Sequence, residues 1–186
     1  MIQKFILRVS LLVAVGITAI GCECSNSNGL SEAEKTELDS IFSQLPETLG
    51  EVSDFESLLK AEQKVALKNH VLRINGNSPY EVVLVTIDTI APFDDIVTYA
   101  TALGNKWAIG NEEDNNGLVI LVSSNLGQAA IAPGNGIEDV FSDEVTKKII
   151  EDKMIPHFMR GDFAAGFDRA LREVDRIAAE NTSASQ

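Results

Sequence analysis

The chain has 186 residues, of which 45% are hydrophobic, and its 28 Asp and Glu outnumber its 15 Lys and Arg to give a formal net charge of −13. This length suits one domain with accessory segments, large enough to bury most of its apolar surface without disulfides. A surface this acidic repels nucleic acid and anionic lipid and attracts cations. The composition therefore disfavours DNA- and RNA-binding functions and predicts a cation as a partner.

The first 21 residues predict a lipoprotein signal peptide. Lys4 and Arg8 form a positive region, and residues 9–20 form an apolar one, which is the order found in secretory signals. The apolar run is shorter than the roughly 20 residues that a membrane-spanning helix needs. The sequence AIGC ends it and resembles a bacterial lipobox. We therefore predict an exported protein that faces the periplasm or the cell exterior and is anchored to a membrane by lipid on Cys22.

Capping residues, apolar periodicity and β-branched runs predict the elements that follow. In chain order they are a polar tether over 22–30, a helix over 31–44, a polar break at 52–54, a helix over 56–74, a strand over 80–87, a helix over 93–107, a strand over 118–122, a strand over 128–132 antiparallel to it, a helix over 142–150, an interruption at Pro156, a helix over 163–179 and a disordered tail over 181–186. Gly104, inside the third helix, predicts a close packing contact or an early helix end.

The order of these elements predicts an α/β fold. Strands separated by helices, with one hairpin, indicate an α/β/α sandwich in which a central mixed β-sheet is flanked by helices. The predicted organisation is a signal peptide over 1–21, a tether and N-terminal helix over 22–44, one α/β domain over 45–180 and the tail.

An acidic loop, NEEDNNG, leads into the strand at 118–122. Glu112, Asp114 and Asn116 alternate before Gly117 and resemble the first half of an EF-hand calcium loop. The second half is absent, because the twelfth position is Ser123 and a strand follows instead of a helix. Two interpretations stay open for these residues, a cation site and a solvated acidic turn.

No familiar catalytic motif accompanies this loop. The sequence lacks a nucleophile elbow, a P-loop, a dinucleotide fingerprint and a zinc-protease motif, and nothing places His70 and His157 together as zinc ligands. Polar oxygen ligands do recur at element ends, at Asp54, Glu112, Asp114, Asn116, Glu138 and Asp139. Ligands of open α/β sheets bind at the carboxyl ends of the parallel strands, and hard cations prefer oxygen. These residues predict a site for Ca²⁺ or, less tightly, Mg²⁺.

Five blocks of the sequence resemble the TPM domain family and together span about residues 45–179. They are VSD at 52–54 with the Leu-Leu pair that follows, YEVVLVTI at 80–87, YATALGNKWAIG with DNNGLVILV between 99 and 122, PGNGIED at 133–139 and IPHFMRGDFAAGF at 155–167. The resemblance implies an α/β/α sandwich in a non-cytoplasmic compartment, with an acidic loop cluster that binds divalent cations in some members.

The resemblance also implies which residues form that cluster. Asp54 matches the family's early Asp, Asp114 and Asn116 match its D-N-G motif, and Gly134, Gly136 and Glu138 match its G-Y-G-[LIV]-E motif. Asn135 replaces the Tyr of that motif, and an additional Asn lies before Gly117. The family pattern implies that these stretches meet at one edge of the sheet, where a bound cation would relieve the repulsion between their charges.

The resemblance leaves two functions open. Some family members are accessory or assembly factors for membrane complexes, which makes a membrane protein complex a possible partner here. Acid phosphatase activity is attributed to plastid members. A metal-dependent phosphatase is the less favoured interpretation, because the acidic loops contain no Lys or Arg to complement a phosphoryl group, and Lys106 and Arg160 are the nearest candidates along the sequence.

Overall fold

The computed structural model describes residues 32–184. The predicted signal peptide, the tether, Cys22 and the last two residues lie outside them. In chain order the elements are α1 (Glu32–Gln44), β1 (Val52–Asp54), α2 (Ala61–Asn77), β2 (Glu81–Thr86), α3 (Ile96–Lys106), β3 (Gly117–Ser123), β4 (Gln128–Pro133), a 3₁₀ turn (Asn135–Ile137), α4 (Asp143–Ile149), a π-helical turn (Ile150–Met154), α5 (Ile155–Phe158) and α6 (Phe163–Ala184). Helix α1 belongs to one compact unit, and the chain from Leu45 onward forms another.

Four strands form one mixed sheet in the order β1-β2-β3-β4. The first three strands are parallel, with Asp54 beside Thr86 and Thr86 beside Val122, whereas β4 runs antiparallel to β3. The β-branched runs of β2 and β3 are buried on both faces, as expected for central parallel strands. The predicted α/β class, with a mixed sheet between helices, is confirmed.

Helices cover both faces of the sheet. On one face, alternate residues of β2 and β3 pack against α2 and α6 in a core that includes Val71, Ile74, Leu84, Ile120, Phe167 and Leu171. On the other face lies α3, whose Gly104 would place a Cβ 3.0 Å from Cγ2 of Val119. The close packing contact predicted at Gly104 is confirmed. Within residues 32–184, no helix is long and apolar enough to cross a membrane.

The segment predicted as a polar break is the edge strand β1. Its polar side chains have partners, because Ser53 Oγ accepts from Leu49 N at 2.9 Å and the carboxylate of Asp54 accepts from the backbone N–H groups of Leu58 and Leu59. These last two bonds hold the chain in a loop where a helix was predicted. Helix α2 therefore begins at Ala61, five residues later than expected.

The chain does not leave the helical path at Pro156, which corrects the predicted interruption. Helix α4 continues into a π-helical turn, and α5 follows with Pro156 in its first turn. The N–H of Ile155 reaches Ile150 O, one residue further back than in an α-helix. Likewise, α6 continues to Ala184, so the tail predicted from residue 181 is helical as far as Ala184.

Candidate functional site

Two acidic loops lie at the end of the sheet where β3 begins and β4 ends. The first acidic loop (residues 111–116) leads into β3, and the second (residues 134–139) leaves β4. Because β4 is antiparallel to β3, these ends are adjacent. Two backbone bonds join the loops, from Gly134 N to Gly117 O at 2.7 Å and from Gly136 N to Asn115 O at 3.2 Å.

The glycines of the second loop permit this contact. A Cβ on Gly136 would lie 1.6 Å from Asp114 O, and one on Gly134 would lie 2.1 Å from Asn115 O. Both obstacles are backbone atoms, which cannot turn away as a flexible side chain can. The PGNG sequence therefore brings the two acidic loops closer together than residues with side chains would allow.

Asn111 shapes the first acidic loop. Its Oδ1 accepts from Asp114 N at 2.5 Å, and its Nδ2 donates to Asp114 Oδ2 at 2.8 Å. Asn115 N donates to Asn111 O at 2.9 Å, and Asn115 has a positive φ of 47°. The sequence pattern did not single out Asn111, although Asn is a common turn residue because its side chain hydrogen-bonds nearby backbone.

Asn116, predicted as a metal ligand, fixes the loop to the sheet. Its side chain is buried: Oδ1 accepts from Asn111 N at 2.9 Å, and Nδ2 donates to Pro79 O. Both ends of the amide are thus bound to backbone. A polar cavity of about 290 Å³ lies beside it, lined by Asn75, Ser78, Pro79, Tyr80, Glu81, Asn111 and Asn116.

The carboxylates of the two loops face solvent. Glu112, Glu113, Asp114, Glu138 and Asp139 are all exposed. Within the part of the chain that the structure describes, no Lys or Arg forms an ion pair with Glu112, Glu113 or Asp114. Nor do any three Asp, Glu, His or Cys side chains between residues 32 and 184 already enclose a position for a metal ion. The loops form an acidic edge with exposed oxygen atoms rather than a closed cage.

Asp54 lies at the opposite end of the sheet, so the expectation that it joins this cluster is wrong. It ends β1 beside Thr86, whereas the first acidic loop precedes β3, which runs parallel to β1 and β2. Because the strands are parallel, the carboxyl end of β1 and the amino end of β3 lie at opposite ends of the sheet, separated by the length of a strand. The site therefore lies at the amino ends of β2 and β3, and not at the carboxyl ends as predicted.

The carboxylate of Asp54 is also fully engaged. It is 5% exposed and accepts from Thr86 Oγ1 at 2.6 Å, while Lys64 Nζ lies 2.9 Å from Oδ2. Burial raises the pKa of Asp54, but the hydrogen bonds from Thr86, Lys64 and two backbone N–H groups outweigh burial, and the pKa is lowered below its usual value. Asp54 is therefore an ionised structural carboxylate.

Lys106, a candidate partner for phosphate on the sequence, is occupied elsewhere. Its Nζ donates to Leu45 O at 2.6 Å and lies 2.8 Å from an oxygen of Glu47. The neighbouring Trp107 donates from Nε1 to Pro46 O at 2.8 Å. These two side chains hold the segment that precedes β1, which leaves Lys106 unavailable to a substrate.

Solved structures of bacterial proteins share this fold. The N-terminal domain of a protein from P. gingivalis is 27% identical, with a TM-score of 0.63 over 75% of this chain and 88% of that one. The BA42 protein of Bizionia argentinensis is 21% identical, with a TM-score of 0.59 over 68% and 85% of the two chains. The N-terminal domain of the cg2496 protein of Corynebacterium glutamicum is 12% identical, with a TM-score of 0.56 over 73% and 84%.

Sequence comparison identifies the family. No curated protein matches the chain. The family model described as the TPM domain matches residues 52–177, which run from the first residue of β1 into α6 and include both acidic loops. This match covers more than half of the chain. The protein therefore belongs to the TPM domain family.

Proposed function

We propose that this domain binds a divalent cation at the acidic edge, with oxygen ligands from Glu112, Asp114, Glu138 and Asp139. The proposal rests mainly on the close contact between the two loops, in which Gly136 packs on the backbone of Asp114. That contact concentrates negative charge, and no ion pair from residues 32–184 compensates Glu112 or Asp114. A bound cation would relieve the repulsion between these carboxylates.

The donor atoms suit Ca²⁺ better than other ions. They are carboxylate and backbone carbonyl oxygens, without a Cys or His that would favour a softer metal. Ca²⁺ accepts six to eight oxygens in flexible geometry, whereas Mg²⁺ requires a stricter octahedron and keeps more of its water. Exposed loops that do not form a preorganised cage therefore favour Ca²⁺ over Mg²⁺. Asn116 would support the loop through its backbone bonds, and Asp54 would take no part.

Thermal unfolding of the full-length protein in EDTA, Ca²⁺ or Mg²⁺ tests this proposal. Binding to the folded state alone adds RT ln(1 + [L]/Kd), about 2.7 kcal/mol at a hundredfold excess over Kd. We expect Ca²⁺ to raise the midpoint more than Mg²⁺, and Asp114→Asn to remove most of that increase. Asp152→Asn, which changes an exposed acid outside the two loops, should respond as the parent does. An unchanged midpoint in the parent, or an equal increase in Asp114→Asn, would contradict the site.

The cellular role that we propose is that of a membrane-tethered accessory factor outside the cytoplasm. The export and the tether are supported by the predicted signal peptide over residues 1–21 and by the AIGC motif that ends at Cys22. Metabolic labelling with a fatty acid should mark the parent but not Cys22→Ser, which should also leave the membrane fraction. Labelling that persists in Cys22→Ser would refute lipid attachment at this residue.

A metal-dependent phosphatase gains no specific support from the geometry. Lys106 is held by Leu45 and Glu47, and the acidic loops contain no cation to stabilise a phosphoryl transition state. We therefore expect no turnover of a generic phosphomonoester with Mg²⁺. Turnover that Asp114→Asn abolishes at unchanged stability would replace the accessory role with the enzymatic one.

A further inference from the structure

A polar cavity of about 290 Å³ lies at the amino end of β2, lined by the last turn of α2 and by the first acidic loop. Two of its walls are side chains that bind backbone at both ends. Asn75 accepts from Val82 N at 2.9 Å and donates to Val82 O at 3.2 Å. Asn116 accepts from Asn111 N and donates to Pro79 O. These bonds make the cavity a fixed part of the fold.

Glu81, the first residue of β2, is the one charged residue that lines the cavity within residues 32–184. Its Oε2 accepts from Gly110 N at 2.8 Å, which fixes the direction of the side chain. No Lys or Arg in that part of the chain forms an ion pair with this carboxylate. Asp114, whose Oδ2 accepts from the lining residue Asn111 at 2.8 Å, adds a second negative charge nearby. The cavity therefore favours a positively charged ligand.

An anionic ligand would find few strong donors in this cavity. Backbone N–H groups around it already donate within the protein, at Ser78, Tyr80, Glu81 and Asn111. The hydroxyl of Ser78 gives its one hydrogen to Ile74 O at 2.9 Å. What remains are neutral donors, which cannot balance the charge of a phosphate or a carboxylate beside Glu81.

The size of the cavity distinguishes an organic cation from a metal ion. Ca²⁺ holds its oxygen ligands at about 2.3–2.6 Å, so a space of about 290 Å³ is too wide for a bare ion. Ligand pockets usually have volumes of about 300–1,000 Å³ and mostly apolar walls, so this small polar cavity does not suit a nucleotide or a larger cofactor. A single cationic side chain matches its size and polarity.

The carboxylate of Glu81 favours a guanidinium over an ammonium group. A carboxylate accepts at about four lone-pair positions, and Gly110 N uses one, so two parallel N–H groups of a guanidinium can still bind. A guanidinium is also more weakly hydrated than an ammonium and gives up its water more readily. Free arginine is a poorer ligand than an arginine within a protein chain, because its own carboxylate would lie near the acidic loops.

We propose that the cavity receives an arginine side chain of a partner protein, with the guanidinium bound to Glu81. Asn75 and Asn116 hold the walls in place, so little of the protein has to be ordered on binding. The inference does not depend on the proposed Ca²⁺ site.

The probe for this proposal is N-acetyl-arginine N-methylamide, titrated into the full-length protein in EDTA with ¹H–¹⁵N NMR detection. We expect saturable shift changes at the side-chain amides of Asn111 and Asn116 and at the backbone amide of Glu81. The same compound made with citrulline keeps the shape without the charge and should not bind. The lysine compound and free arginine should both bind more weakly.

Three results of these titrations would overturn the proposal. They are equal binding of the citrulline compound, lysine binding as tight as that of arginine, and no shift changes with millimolar probe. Tighter binding of free arginine would make the ligand an amino acid and refute a protein partner.

A variant of Glu81 tests the contact directly. Glu81→Gln removes the charge but keeps an oxygen for Gly110 N, so the fold should persist while affinity for the probe falls about tenfold. The matched control is Glu62→Gln, which changes an exposed acid in the first turn of α2, at the opposite end of that helix from Asn75, and should bind as the parent does.

The same variant separates this site from the proposed Ca²⁺ site. Ca²⁺ should still raise the unfolding midpoint of Glu81→Gln, so either site can fail without the other. If Glu81→Gln fails to fold, the comparison of arginine with citrulline still decides the question. Parent affinity in a folded Glu81→Gln protein would refute the contact with Glu81.

Discussion

Asp54 holds together the N-terminal part of the domain. Its buried carboxylate accepts from Thr86, from Lys64 and from the backbone of the loop before α2, and so joins β1, β2 and that loop. Asp54→Asn keeps the size of the side chain but removes the charge that these donors share. We expect a loss of about 2–4 kcal/mol in the free energy of unfolding, measured with urea near neutral pH. Thr86→Val, which removes the hydroxyl that donates to this charged acceptor, should lose about 1.5–3 kcal/mol.

The same carboxylate predicts a pH dependence. Burial raises the pKa of Asp54, but the hydrogen bonds from Thr86 and Lys64 lower it by a larger amount. The folded pKa therefore lies below the unfolded value of about 3.9. The folded state then binds fewer protons, so its extra stability is complete above about pH 5 and disappears as the pH falls through the folded pKa. The stability difference between the parent and Asp54→Asn should therefore be constant near neutral pH and shrink in acid. A difference that persists in strong acid would contradict this.

Gly136 is the residue that the acidic edge most requires. A Cβ there would overlap Asp114 O, and the backbone of both loops would have to move. We expect Gly136→Ala to destabilise the domain by more than about 2 kcal/mol and to displace the amide NMR signals of both acidic loops. The matched control is Gly76→Ala, in α2, where a Cβ meets nothing within 4 Å and Ala should stabilise the helix by up to about 1 kcal/mol. Equal stability of the two variants would contradict the proposed contact.

Single residues also explain which part of the site the sequence could predict. Asp114 and Glu138 follow from their motifs, because short local patterns mark loops beside apolar strands. Asp54 was misplaced, since its position depends on strand direction and β1 had not been predicted as a strand. The role of Asn116 was missed for a different reason: its partner Pro79 lies 37 residues away, and no local pattern identifies such a bond.

At the scale of elements, predictability follows length and burial. Strand β2 was predicted as 80–87 and observed as 81–86, and β3 was predicted as 118–122 and observed as 117–123, because long β-branched runs have few alternatives. Strand β1 has three residues, two of them polar, which is too short for periodicity to detect. The late start of α2 depends on Asp54 capturing the preceding N–H groups, a contact that the sequence pattern does not show.

The π-helical turn keeps the apolar residues before and after it facing the core. Ile149 and Met154 are both buried although they are five residues apart, whereas Asp152 is exposed between them. An ordinary α-helix brings residues three or four apart onto one face, so one additional residue is accommodated in the wide turn. Deletion of Asp152 should therefore convert the turn to α-helix and leave the domain folded, with a change in unfolding midpoint of only a few degrees.

A deletion in a regular helix provides the comparison. Removing Arg172, an exposed residue in the middle of α6, would rotate every later residue by about 100° and turn Val174 away from the core. We expect that deletion to abolish cooperative unfolding in a thermal scan. If deletion of Asp152 is as damaging as deletion of Arg172, the wide turn does more than accommodate one extra residue.

For the whole molecule, the net charge of −13 sets how stability responds to salt. Repulsion between surface carboxylates disfavours the compact state, and salt screens it over a Debye length of about 10 Å at 0.1 M. NaCl should therefore raise the unfolding midpoint by a few degrees near neutral pH. The increase should shrink near pH 4.3, roughly the Glu reference pKa, where many carboxylates are neutral.

The salt response also distinguishes general screening from the proposed cation site. Screening acts on all exposed carboxylates, so Asp114→Asn, which removes one of the 28 acids, should keep almost the whole response to NaCl. A specific site depends on Asp114, so the same variant should lose its response to Ca²⁺ in a background of NaCl. The measurement is a pair of thermal scans for each variant, with Ca²⁺ added at fixed high NaCl. If high NaCl removes the effect of Ca²⁺ in the parent, Ca²⁺ acts only as a screening ion, and the acidic edge is a solvated turn.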